Sequence, residues 1–181
     1  MRGFIKKWIE NWKEDKKNSE IENPWNMLDL LKIVAMKDPE YVKEFIEYNE
    51  EILKECDIYG DSAVELIKTV GDPEYIKELL ENPEKRKALS IYGGAVELIK
   101  TVEEKEPGYI KECLENVEKM EALGINKYSA VELIKTVEEK EPGYIKECLE
   151  NVEKMEALGI NKYSAVELIK TVEEKEPGYI K

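Results

Sequence analysis

The stretch from Ala95 to Lys146 is identical, residue for residue, to the stretch from Ala130 to Lys181. Such an internal repeat outweighs every other signal in the chain, because it requires one structural unit to pack against copies of itself. The identical copies start 35 residues apart, Ala95 to Ala130. Looser copies lie upstream, AVELIKTVGDPEYIKELLEN from Ala63 and MLDLLKIVAMKDPEYVKEFIE from Met27, at spacings of 32 and 36. Four units are complete, at about 24–61, 62–93, 94–128 and 129–163, and a fifth, 164–181, contains only the first half of the pattern.

Within a unit, Ala130, Val131, Leu133, Ile134 and Val137 fall at i, i+1, i+3, i+4 and i+7, one face of a helix. Glu-Glu-Lys-Glu follows without apolar periodicity, and Pro142 stands where proline is accepted as the opening residue of a new helix. The second helix then carries Tyr144, Ile145, Cys148, Leu149, Val152, Met155 and Leu158 on its apolar side and ends at Gly159, a left-handed stop. The predicted unit is a helical hairpin. Asp38-Pro39-Glu40 and Asp72-Pro73-Glu74 offer an N-cap carboxylate before the proline, whereas Glu106-Pro107-Gly108 and Glu141-Pro142-Gly143 replace it with a poorer cap and set glycine in the first turn, costing about 1 kcal/mol. One hairpin buries only part of its apolar surface. The expected fold is therefore all-α, a right-handed α-solenoid of stacked hairpins with a period of about 35 residues.

Composition narrows the chemistry. The chain has no histidine, which removes the commonest general base, the commonest metal ligand and every Ser-His or Cys-His nucleophile pair. Cys56, Cys113 and Cys148 are odd in number, and none forms a Cys-x-x-Cys pair, so neither a disulfide framework nor a zinc site is expected. A formal net charge of -13 disfavours a phosphate backbone and hence nucleic acid. No apolar run approaches the ~20 residues that span a bilayer, and the N-terminus lacks a signal peptide's apolar core, so a cytoplasmic location is the expectation. No catalytic residue, cofactor or metal is assigned.

Leu30-Leu31-Lys32 followed by Asp38-Pro39-Glu40-Tyr41-Val42-Lys43, and Leu66-Ile67-Lys68 followed by Asp72-Pro73-Glu74-Tyr75-Ile76-Lys77, resemble the HEAT and armadillo-like superfamily, where an Asp-Pro turn commonly separates paired helices. The resemblance covers about residues 24–181, although this chain has tyrosine early in the second helix and few of the alanines common there. It implies scaffolding or partner recognition. Armadillo-like proteins hold an extended peptide with an asparagine ladder, which singles out Asn82, Asn116 and Asn151 as partner-binding candidates on the second helix, with Tyr48 in that column of the first unit. The neighbouring stripe Lys111, Glu115 and Lys119, repeated as Lys146, Glu150 and Lys154, completes the set and includes a Glu150–Lys154 pair at i, i+4.

Other columns read as structure. Phe45, Leu79, Cys113 and Cys148 share one column, so these thiols belong to the core. Tyr41, Tyr75, Tyr109, Tyr144 and Tyr179 share another and are expected to pack their rings with the hydroxyl at the surface. Glu103-Glu104 and Glu138-Glu139 read as solvated connectors.

Residues 1–22 differ from the repeats. Phe4, Ile5, Trp8, Ile9 and Trp12 align on one face of a basic helix within residues 1–17, which reads as a cap over the first repeat. The alternative lays it on an anionic membrane and makes the protein a peripheral adaptor. The leading expectation is a non-catalytic scaffold for a protein or peptide of basic or mixed charge; an enzyme working with carboxylates and lysines alone is a third class. Only Gly178, Tyr179, Ile180 and Lys181 follow Pro177 in the last unit, so the array reads as interrupted before a continuation like ECLENVEKMEALGINKY, with self-association expected through that end.

Overall fold

Every regular element among the described residues is an α-helix. The computed structural model describes residues 25–91 and 93–179, together with Gly3, Lys7 and Asn11, which are helical and exposed. The apolar face of the N-terminal segment, and with it both the capping and the membrane reading, lies outside the described residues. No helix among the described residues is long and apolar enough to cross a membrane.

The chain divides into two compact units, Met1–Val70 and Gly71–Lys181. In the first, α1 (Trp25–Ala35) packs against α2 (Pro39–Tyr48) and α4 (Asp61–Val70), while the short α3 (Glu50–Glu55) packs against α2. Met27, Leu31, Val42, Phe45, Leu53 and Ile58 are buried there. The second contains α5 (Pro73–Glu81), α6 (Pro83–Ala88), α7 (Ala95–Lys105), α8 (Tyr109–Glu115), α9 (Val117–Leu123), α10 (Lys127–Lys140), α11 (Tyr144–Glu150), α12 (Val152–Ala157) and α13 (Lys162–Lys175). Here α10 packs against α7 and α8 of the preceding repeat, against its own α11, and against α13 of the following one. α10 thus buries its apolar stripe on neighbours from its own repeat and from the repeats on either side.

The unit has three helices, which corrects the hairpin expectation. The second helix ends at an asparagine held in extended backbone conformation, at Asn82, Asn116 and Asn151. Asparagine competes with helix continuation because its side-chain oxygen caps a new helix instead. The Asn116 Oδ1 accepts from Lys119 N at 2.9 Å, the Asn151 Oδ1 from Lys154 N at 2.9 Å, and the Asn82 Oδ1 from Glu84 N and Lys85 N at 3.1 Å each. In the first repeat the break falls one residue past Tyr48, at Asn49, whose Nδ2 donates to the Phe45 carbonyl at 3.2 Å. The re-aimed third helix turns Met120 and Leu123 into the core. It closes as expected on a left-handed glycine, Gly124 (φ 68°) or Gly159 (φ 63°).

The Glu-Pro-Gly-Tyr segments are also built differently from the expectation. Tyr109 N donates to the Glu106 carbonyl at 3.3 Å, and Gly108 has φ 99°. This is a β-turn of the type that takes proline second and a positive-φ glycine third, so the second helix starts at Tyr109 or Tyr144 rather than at the proline. The glycine sits outside the helix and carries no propensity cost. Gly143→Ala, at φ 104° with open space around a new Cβ, is expected to destabilise by about 1–2 kcal/mol from backbone strain alone; a chemical denaturation midpoint unchanged from the parent would refute this.

The missing Asp cap is replaced from the preceding helix. Glu103, 5% exposed, accepts from Gly108 N at 3.1 and 3.0 Å and from Ile110 N at 2.9 Å, and Lys140 Nζ donates to it at 3.1 Å. Glu138 repeats the arrangement with Gly143 N and Ile145 N. These two glutamates are buried caps, not solvated connectors. In the earlier repeats Asp38 and Asp72 accept from Tyr41 N and Tyr75 N instead, as their spacing predicts.

Candidate functional site

Lysines of one repeat reach glutamates of another and cover tyrosine rings. Lys111 Nζ donates to Glu141 at 3.1 Å and lies 5.2 Å from the Tyr144 ring centroid. Lys77 pairs likewise with Glu106 beside Tyr109, and Lys146 with Glu176 beside Tyr179. A second ammonium approaches each inner ring, Lys119 at 4.6 Å from Tyr109 and Lys154 at 4.6 Å from Tyr144. Lys119 also meets Glu112 at 2.7 Å and Glu81 at 3.7 Å; Lys154 meets Glu147 at 3.3 Å and Glu115 at 3.7 Å. Such cation–π contacts and pairs tie successive repeats together. Burial works against the Lys119 charge, yet the hydrogen bond that Lys119 donates to Glu112 leaves its pKa above the ordinary lysine value.

The tyrosines are buried more deeply than expected. Tyr75, Tyr109 and Tyr144 are enclosed hydroxyl and all, and at Tyr109 and Tyr144 a lysine on either side lies over the ring. Burial, then the neighbouring thiol of Cys113 or Cys148, raises the phenol pKa of Tyr109 and Tyr144. Burial likewise pushes the Cys113 thiol to about 11 and raises that of Cys148, so both remain protonated thiols. They belong to the core, as the Phe45 and Leu79 column implies.

The nine partner-binding candidates therefore occupy three kinds of place. Asn82, Asn116 and Asn151 have committed their side-chain oxygens to backbone N–H groups at helix starts. Lys111, Lys146, Lys119, Lys154 and Glu115 are engaged in ion pairs between or within repeats. Glu150 is exposed and forms no pair with Lys154, because the helix breaks at Asn151 between them and Lys154 turns to Glu147 and Glu115.

A different face is both exposed and repeated. The outward side of α9 presents Val117, Glu118 and Glu121, and that of α12 presents Val152, Glu153 and Glu156. Tyr128 and Tyr163, at the starts of α10 and α13, are 70% and 74% exposed. Among the described residues none of these four glutamates has an ion-pair partner. Reading Asn116 as an N-cap would have exposed this pattern in the sequence, since Met120 and Leu123 then define the inward side. Among the described residues no group of three or more Cys, Asp or Glu side chains could hold a metal ion. In the first unit a cleft of about 360 Å³ is bordered by Leu28, Asp29, Lys32, Asp57, Ile58 and Glu65, with Lys32 and Glu65 paired to each other.

Compared with protein-family models, with curated proteins and with solved structures, the sequence matches none.

Proposed function

We propose that the protein is a non-catalytic helical-repeat scaffold, its repeats stacked as a right-handed α-solenoid of the HEAT/armadillo-like kind, that holds a protein partner with a basic, partly apolar surface. The observation carrying this reading is the recurrence, in successive repeats, of an exposed valine followed at i+1 and i+4 by exposed glutamates that have no ion-pair partner among the described residues, on the outward side of the third helix. Two further features agree with it. Three helices per repeat fall within the range of that class, and the buried carboxylates Glu103 and Glu138 are filled with backbone donors, leaving no poised acid or base there. Action in the cytoplasm fits the free, buried thiols of Cys113 and Cys148.

A Lys- and Val-containing synthetic peptide, titrated by calorimetry at low salt, tests the reading. Replacing Glu118, Glu121, Glu153 and Glu156 with Gln is expected to weaken binding about tenfold or more, as four exposed charge contacts are lost, without moving the melting temperature. Replacing Glu104, Glu139, Glu150 and Glu174 changes net charge equally and serves as the comparison. Equal weakening by both sets would reduce the interaction to overall charge and sink this assignment.

A further inference from the structure

The third helices of the second unit change sign along the array. Asn82, Asn116 and Asn151 each start one, so α6, α9 and α12 correspond position by position. Their inward sides keep one role. Leu89, Leu123 and Leu158 are buried, and the lysine three positions after each asparagine, Lys85, Lys119 or Lys154, turns back to the glutamate seven residues before it. The outward sides differ. Lys87 of α6 stands where α9 has Glu121 and α12 has Glu156, and all three are exposed, with no ion-pair partner among the described residues. The preceding acid is common to the set, as Glu84, Glu118 and Glu153, so the outward pair is neutral on α6 and doubly negative on α9 and α12.

Arg86 sets the two kinds of helix side by side. It occupies the position of the buried Met120, and its Nη2 donates to the Ala122 carbonyl in the last turn of α9, one of the carbonyls that a helix end leaves without a partner of its own. Lys87 follows Arg86 and Glu121 precedes Ala122, so the opposite charges lie on adjacent surfaces without meeting each other. Described repeats stand before and after α9, and neighbours that are present therefore set the exposure of its outward side.

Resting on the scaffold reading above, we propose that the outward sides of α6 and α9 fix the direction of a bound polypeptide segment. Its basic side chains lie against Glu118 and Glu121 beside Val117, and an acidic side chain lies against Lys87. A uniformly basic segment would bring a like charge onto Lys87, which disfavours it and any reversed placement of a segment with one acidic end.

The probe is the Lys- and Val-containing peptide with two glutamates added at one end, and the reference is the same peptide with two glutamines there. Calorimetry at low salt with the full chain is expected to show about threefold tighter binding of the glutamate-ended peptide, against the direction set by the protein's net charge of -13. Lys87→Glu is expected to reverse the order of the two peptides at an unchanged melting temperature. Lys37→Glu, exposed and in the first unit, alters net charge equally and should preserve that order. A nitroxide at the glutamate end is expected to broaden the amide signals of residues 83–88, and one at the lysine end those of residues 117–123. Equal or weaker binding of the glutamate-ended peptide would overturn the proposal, as would an order that Lys87→Glu leaves intact or labels that broaden both segments alike. Each of those results keeps the scaffold reading. Failure of the peptide without added residues to bind would remove that reading and this proposal together.

Discussion

Leu133→Ala is expected to lower the unfolding free energy by about 2–5 kcal/mol, read from the midpoint and slope of urea denaturation. Leu133 is fully buried in α10, a helix held by α7, α8, α11 and α13, so the lost methyl groups leave a cavity that the surroundings have little freedom to collapse. Leu168→Ala provides the internal comparison. Leu168 is also fully buried in an identical local sequence, but α13 rests mainly on α10 and α11. Its loss is expected toward the low end of that range, because the surroundings relax more freely. Equal losses at the two positions would mean that burial alone, and not enclosure by adjacent repeats, sets the cost.

Glu103→Ala is expected to cost about 2–3 kcal/mol, because it strands the N–H groups of Gly108 and Ile110 and removes the partner of Lys140. The loss has a pH signature. Burial alone would raise the Glu103 pKa, but the hydrogen bonds from Ile110 and Gly108, together with Lys140, bring it below the ordinary value of 4.5. A carboxyl whose pKa is depressed on folding contributes stability that is complete above its unfolded pKa and disappears as pH falls through the folded value. The parent is therefore expected to lose this contribution below about pH 4.5. Glu103→Gln retains an acceptor oxygen but no charge, and should flatten the corresponding part of the stability profile while costing less at neutral pH than Glu103→Ala. A profile for Glu103→Gln that runs parallel to the parent down to acid pH would remove the depressed carboxylate from the account.

Much of the architecture was legible because apolar spacing repeats. Leu66, Leu98, Leu133 and Leu168 share one column and all are fully buried. The cysteine column, the left-handed glycines and the Asp-Pro caps are likewise where their local chemistry places them. The asparagines were harder to read. Asn116 has equal local credentials as a ladder rung on a long helix and as an N-cap dividing two short ones, and the gain from turning Met120 and Leu123 inward tips the balance. Once the helix divides there, the Glu150–Lys154 pair and the asparagine row no longer lie on one helical face.

The sequence by itself determined a helical protein of repeated units, with its apolar columns and its turn chemistry, because hydrophobic periodicity, glycine and proline act over a few residues. Only the tertiary structure decided which charged groups are buried. Glu103 and Glu138 read as ordinary surface acids until a Pro-Gly turn brings backbone donors from five and seven residues downstream onto their carboxylates. Val131 and Val166 make the division plain, since identical sequence leaves one buried and the other half in solvent. Burial is a property of the surface that a neighbour covers, and a neighbour's position is not contained in the local sequence.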